Sequence, residues 1–263
     1  MKNVLITGAC GGMGKATARL FKEQGYRVLA LDKKADLSEE GITCIPTDVT
    51  SEESVKNAFS EVNGITDSLD AIIHFAGIYD LFSLVEADTE VFDRILGINL
   101  RGAFLVNKTF LPLLKKNSRV LIITSELAPL DPLPFTGIYA VTKAALDKYA
   151  YALAMELQLL GIKVSVLRAG AVKTDMLGAS TTALDRFCES TELYSCNAKR
   201  FKSIVDRVEA RSVKPERIAK KCLGIIKKRR PAFAYSLNRN PLLILLNILP
   251  KRMQLFIIRL ILK

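Results

Sequence analysis

Thr7-Gly8-Ala9-Cys10-Gly11-Gly12-Met13-Gly14 decides the fold. It follows Val4-Leu5-Ile6, an apolar run with strand character, and leads into a segment with Leu20 and Phe21 at helical spacing. Glycines there permit a tight turn and close approach of the backbone to a ligand. The helix N-terminus that follows offers N–H groups and a positive dipole end, which together hold a pyrophosphate. Two named phosphate loops are excluded by spacing. A P-loop would need glycine where Ala9 stands and Ser or Thr where Ala16 stands. The strict G-x-G-x-x-G also fails, because Gly8, Gly12 and Gly14 are spaced as T-G-x-x-x-G-x-G.

Working outward, strand-like runs recur at Arg27–Leu31, Thr43–Ile45, Leu69–His74, Arg119–Thr124 and Lys163–Leu167. Helical patterns separate them. One, Thr50 to Val62, opens with a capping-box pattern, Thr50-x-x-Glu53, and places Val55, Ala58, Phe59 and Val62 on one face. Strands alternating with helices predict βαβ units and a parallel sheet covered on both sides. The expected architecture is one doubly wound α/β domain over residues 1–238, with a helical C-terminal appendage at 239–263. The second strand ends at Asp32, 18 residues after Gly14. An acidic side chain there hydrogen-bonds the ribose 2′-hydroxyl of NAD and repels the 2′-phosphate of NADP. Lys33 and Lys34 soften that preference.

Tyr139-Ala140-Val141-Thr142-Lys143 begins a helical pattern reaching Leu160. A spacing of four puts Tyr139 and Lys143 on one face, where an ammonium would lower the phenol pKa and make it a usable proton donor and acceptor. Ser125 follows the fifth strand, at the end where parallel sheets hold their ligands. Its hydroxyl can hydrogen-bond a carbonyl.

Together these residues resemble the short-chain dehydrogenase/reductase (SDR) family. The likeness rests on Thr7-Gly8-x-x-x-Gly12-x-Gly14, Asp48-Val49, Asn99-Leu100-Arg101-Gly102, Ser125, Tyr139-x-x-x-Lys143 and Arg168-Ala169-Gly170-Ala171-Val172-x-Thr174, and spans residues 3–235. It implies a Rossmann domain and an NAD(P)-dependent enzyme acting on CH–OH groups. By the resemblance, Tyr139 is the general acid/base, Lys143 lowers its pKa and holds the nicotinamide ribose, and Ser125 orients the substrate oxygen. Asn99 anchors a water leading to Lys143. Asp48 lies near the adenine and Thr174 at the nicotinamide amide. Gly8, Gly12, Met13, Gly14, Asp32, Val49, Ala76, Gly77 and Val172 complete the cofactor set. The chain departs from the family at His74-Phe75-Ala76-Gly77, where the pattern is Asn-Asn-Ala-Gly, and at Ala169, where it is Pro. His74 is expected to be structural, since the Tyr/Lys pair already fills the acid/base role.

Candidate pocket segments Gly77–Leu84, Leu127–Thr136 and Met176–Phe201 are rich in Leu, Phe, Ala and Met, which favours an apolar substrate over a sugar. The chain looks most similar to family members acting on steroids, retinoids or other lipid-like alcohols and ketones, which is the substrate class the resemblance implies. A catalytically silent NAD-binding or redox-sensing protein is the competing reading; silent relatives usually lose residues that this chain keeps. One histidine leaves no metal site expected, and five scattered cysteines suit a reducing cytoplasm. No signal peptide is expected at Met1-Lys2-Asn3.

The net charge of +11 is unevenly placed. From Arg217 onward there are 12 Lys/Arg and no acid, whereas residues 1–216 hold 26 basic against 27 acidic side chains. In Asn240 to Lys263, 15 of 24 residues are Leu, Ile, Met or Phe. Without stacking aromatics this composition disfavours nucleic acid. It suits an anionic membrane surface, or packing over the substrate mouth or on a second subunit of a homo-oligomer. A helix after Pro250 would align Met253, Phe256, Ile257, Leu260 and Ile261, with Arg252, Arg259 and Lys263 in a basic stripe.

Overall fold

A computed structural model of the chain describes residues 1–34, 36–37, 39–209 and 212–263, with side chains except at 175–182 and 207–209. The strands are β1 (Lys2–Thr7), β2 (Tyr26–Asp32), β3 (Ile42–Pro46), β4 (Leu69–His74), β5 (Leu114–Ser125), β6 (Lys163–Ala169) and β7 (Ala234–Leu237). The helices are α1 (Gly12–Glu23), α2 (Glu52–Ile65), α3 (Thr89–Leu96), α4 (Gly102–Phe110), α5 (Gly137–Leu157), α6 (Asp175–Ser190), α7 (Ser195–Glu209), α8 (Pro215–Lys227), α9 (Pro241–Ile248) and α10 (Lys251–Leu262).

All seven strands pair in parallel, in the order β3-β2-β1-β4-β5-β6-β7. Val4, Leu5 and Ile6 are fully buried because helices cover both faces of the sheet. Phe21 of α1 and Ile218, Cys222 and Ile225 of α8 pack on one face. Val55, Ala58 and Val62 of α2, Phe110 of α4 and Leu146 of α5 pack on the other. Strand order reverses between β1 and β4, so a crevice opens at their C-terminal ends, the ligand position of such sheets.

The six expected strands all form. β7 is additional: four residues paired to the edge of β6, in a stretch where no strand was expected. The expected capping box does not form, and the N-cap falls one residue later. Ser51, not Thr50, caps α2, accepting the Ser54 N–H, while Thr50 is bound to Asp48. A smaller apolar cluster of Leu81, Leu184, Phe201 and Leu262 lies apart from the two sheet faces and ties α10 to the pocket segments. The twelve basic residues fall in three groups. Arg217, Lys220 and Lys221 lie along α8, Lys227 to Arg230 precede β7 at the opposite end of the sheet from the crevice, and Arg239 and the four charges of α10 and its end follow it. No helix among the described residues is long and apolar enough to cross a membrane.

Candidate active site

The β1–α1 loop forms one wall of a cleft of about 700 Å³ at the switch point. Gly8 has φ +65°, and a Cβ there would sit 2.6 Å from the Ala76 nitrogen. At Gly14 a Cβ would lie 2.1 Å from the Gly8 carbonyl oxygen. Glycine is therefore obligatory at both positions, and the bare backbone leaves a cradle for an anion. Gly8, Gly12, Met13, Gly14, Asp32, Asp48, Val49, Ala76, Gly77 and Thr174 all border this cleft. Asp32, ending β2, accepts the Cys10 N–H (3.0 Å) and the Lys34 N–H (3.1 Å). Lys33 is drawn away from it to Asp48 (2.8 Å), whose carboxyl is held down at about 2 by Lys33 and by hydrogen bonds from Thr50. The shape and donor set fit a dinucleotide.

Met13, Phe75, Gly77, Ile78 and Thr174 border both this cleft and a second cavity of about 300 Å³. Ser125, Tyr139, Lys143 and Val172 line that cavity, so β5, α5 and the segment after β6 converge where the two spaces meet. Lys143 Nζ donates to the Ile123 carbonyl (3.3 Å) and lies 5.7 Å from the Tyr139 ring centre. Burial pushes the Lys143 ammonium down to about 8. The expected lowering of the Tyr139 pKa is not found. Burial pushes the phenol up to about 12, a hydrogen bond with Ser125 opposes that, and the Glu126 carboxylate adds to it. The ammonium lies over the ring, and desolvation is the leading cause for both groups.

Asn99 is buried in the π-helical turn Gly97–Arg101 that joins α3 to α4, an irregularity common at functional sites. Its carboxamide accepts the Ile78 N–H (2.8 Å) and donates to the Ile78 carbonyl (3.0 Å) and Thr142 Oγ1 (3.1 Å). A Cβ on Gly77 would lie 3.2 Å from Asn99 Oδ1 and 3.4 Å from Lys143 Nζ, so the three meet at one point.

A family model of short chain dehydrogenases matches residues 2–185, more than half of the sequence. This chain belongs to the short-chain dehydrogenase family. Its members are NAD(P)-dependent oxidoreductases acting on CH–OH groups. The chain is 34% identical over 190 residues to estradiol 17-beta-dehydrogenase 2 of Mus musculus, covering 68% of this chain and 50% of that protein. It is 32% identical to an NADPH-dependent 1-acyldihydroxyacetone phosphate reductase of Schizosaccharomyces pombe, covering 69% and 65%. With a 3-ketodihydrosphingosine reductase of Bacteroides thetaiotaomicron it shares 27% identity over 88% and 85%. The matched stretch thus spans only half to two thirds of the first two relatives. Among solved structures, a Francisella tularensis short chain dehydrogenase superposes with TM-score 0.76 at 21% identity over 90% and 97%. A Brucella melitensis 3-ketoacyl-(acyl-carrier-protein) reductase complexed with NADH gives 0.74 at 22% over 90% and 96%.

Within this short-chain dehydrogenase, His74 lies in the sheet interior with Nε2 3.0 Å from Asn107 Oδ1, and Asn107 donates to Tyr149 (3.1 Å). Burial pushes the imidazole down to about 4, so it is neutral, and it lines neither the cleft nor the cavity, in keeping with the structural role expected where a Tyr/Lys pair fills the acid/base role. Of the three pocket segments, Gly77 to Tyr79, Leu127, Leu133, Thr136 and Phe201 line the cavity, while side chains 176–182 lie outside the described residues. One wall element escaped sequence reasoning: Ile204 and Val205 of α7 extend the apolar lining. Leu242 and Leu243 of α9 close it from the C-terminal end, the place over the substrate mouth that was one of the alternatives open for that segment. Glu126 lines the cavity beside Ser125. Its Oε2 accepts the Asn240 N–H (2.6 Å), and burial raises its pKa. The acid beside Ser125 was visible in sequence, but its partner stands 114 residues away.

Proposed function

We propose that the chain is an NAD-dependent oxidoreductase interconverting a secondary alcohol and a ketone on an apolar, steroid-, retinoid- or lipid-like molecule. The observation that carries this reading is the meeting of Tyr139, Ser125 and Lys143 where a mostly apolar cavity joins the glycine-walled cleft. Residues 1–238 would carry cofactor and chemistry. When bound, the nicotinamide cofactor supplies or accepts the hydride. Gly8, Gly12, Met13, Gly14, Asp32, Asp48, Val49, Ala76, Gly77, Val172 and Thr174 would hold it. The Ser125 hydroxyl orients the substrate oxygen toward the Tyr139 phenol, which gives its proton to a ketone oxygen or takes one from an alcohol. Lys143 places a positive charge beside the phenol and the ribose, and Asn99 holds the Ile78 backbone and Thr142 next to it.

Asp32 supports NAD over NADP, since Lys33 is engaged with Asp48 and leaves the carboxylate to the ribose. The relatives' names, an estradiol dehydrogenase, an acyldihydroxyacetone phosphate reductase and a ketodihydrosphingosine reductase, support the lipid-like substrate class. Exposed Phe104, Val141, Tyr151 and Met155 on α4 and α5 favour pairing with a second copy. Five unpaired cysteines suit the reducing cytoplasm, and the basic 240–263 segment suits an anionic membrane facing it. The test is Tyr139→Phe, which keeps the ring and removes the proton. Turnover in a screen of secondary alcohols and ketones should fall roughly a hundred- to ten-thousandfold, with cofactor affinity nearly unchanged. Turnover at the unmutated rate would exclude the assigned chemistry.

A further inference from the structure

We propose that the outward face of α9 and α10 docks on an anionic lipid bilayer, and that α9 is the wall through which an apolar substrate passes from that bilayer into the cavity. The proposal rests on the apolar-substrate reading for its second half only. α9 has two working sides. Leu242 and Leu243 border the cavity, while Leu245 and Ile248 stand 60% and 74% exposed. In α10 the stripe Gln254, Ile258, Leu262 faces the protein. At 3.6 residues per turn, Arg252, Arg259 and Lys263 fall in one row about 120° round from that stripe, with Phe256 and Leu260 opposite the stripe and Arg259 and Lys263 also bordering a shallow groove beside Leu84 and Val85. Exposed Leu255 flanks that row on one side, and Phe256, Leu260 and Met253 on the other. Lys251 falls on the inward side and pairs with Asp131. Among the described residues, none of the three outward cations meets a carboxylate, and the chain has no acid after Glu216.

A basic row bordered by exposed large apolar side chains complements a surface that is anionic at the headgroups and apolar beneath them. A second copy fits poorly, because a two-fold contact would lay the row against itself. The docking face is also fastened to the site. Glu126 accepts the Asn240 N–H, the Asp131 N–H donates to Asn247 Oδ1 (2.6 Å), and Gln254 Nε2 donates to Asp131 Oδ2 (3.0 Å). Both acids lie just after Ser125, so docking would set the cavity mouth at the bilayer.

The test is co-sedimentation of the full chain with phosphatidylcholine vesicles, with and without added phosphatidylserine, at low and high salt. Two multiple variants are compared: Leu245→Asp/Ile248→Asp/Phe256→Asp/Leu260→Asp and Arg252→Ser/Arg259→Ser/Lys263→Ser. NADH affinity and circular dichroism like those of the unmutated chain establish that each is folded. Three headgroup-facing cations at about fivefold each predict a loss of about a hundredfold on anionic vesicles at low salt for the serine variant. The aspartate variant should lose both vesicle types. It should turn over a water-soluble methyl ketone normally and a long-chain homologue dissolved in vesicles at least tenfold more slowly. An unmutated chain that stays in the supernatant, variants that sediment as it does, or an aspartate variant that instead converts a dimer to a monomer would overturn docking. Lost sedimentation with unchanged turnover of the vesicle-borne ketone would overturn the passage through α9. Lipid binding without turnover of any alcohol or ketone would sink the enzymatic reading alone.

Discussion

Individual residues divide the labour of the site by what surrounds them. Asp32 has both carboxylate oxygens engaged by loop N–H groups, so it shapes the β1–α1 loop as well as facing the cleft. Asp32→Asn keeps an acceptor and removes the charge. The NADP/NAD affinity ratio should then rise roughly ten- to a hundredfold, the worth of one charged hydrogen bond. Fluorescence titration with NADH and NADPH checks this, and an unchanged ratio would assign the choice to another residue. Lys143 is costly to bury. Its ammonium titrates near 8 when folded against an ordinary 10.5. Below pH 8 the unfolded chain and the folded chain both hold the proton, and the full cost of burying it is present. Between pH 8 and 10.5 only the unfolded chain holds it, and stability attributable to this group rises with pH. Lys143→Met should therefore stabilise the cofactor-free protein by up to about 3 kcal/mol at pH 7. The advantage should shrink toward pH 10 in urea unfolding, while turnover is lost.

Elements carry these residues to the site, and they differ in how legible they were. β1, β2, β4, β5 and β6 were plain because strands buried on both faces read as near-continuous Val, Ile and Leu. β7 was not. Ala234–Leu237 is a four-residue edge strand, and only pairing with β6 gives it strand identity. The α2 cap was misplaced by one residue because Thr50 and Ser51 are both good caps. Asp48 decides between them by taking both the N–H and the hydroxyl of Thr50. Ser51→Ala should accordingly cost about 1 kcal/mol in denaturant unfolding, more than Glu53→Ala. The proposed catalytic group was legible as a motif, since Tyr139 and Lys143 need only helical spacing and Ser125 only the end of a strand. The phenol's raised pKa was not, because it depends on burial and on Glu126, which no local pattern reports.

At the scale of the whole molecule, the two large clusters on the sheet faces contain, among the described residues, nothing after Leu237, whereas the third contains Ile258 and Leu262. The cleft is likewise lined by no residue beyond Thr174. The sheet-face clusters and the glycine-walled cleft are thus built from residues 1–238, and on the proposed reading the last 25 residues add only to the substrate side. Truncation after Asn238 is the consequence to measure. It removes Leu262 and Ile258 from the third cluster and takes from Asp131 its contacts with Asn247, Lys251 and Gln254. Losing one buried leucine with its partner costs about 2–5 kcal/mol. For a domain of this size that corresponds to a fall in Tm of roughly 5–15 °C. Unfolding should stay a single transition and NADH affinity should hold within about twofold, since the loop, Asp32 and Thr174 are untouched. KM for an apolar ketone should rise more than kcat falls, because Leu242 and Leu243 are gone while Tyr139, Ser125 and Lys143 remain. A truncated chain that no longer binds NADH would show instead that the C-terminal helices belong to the domain itself.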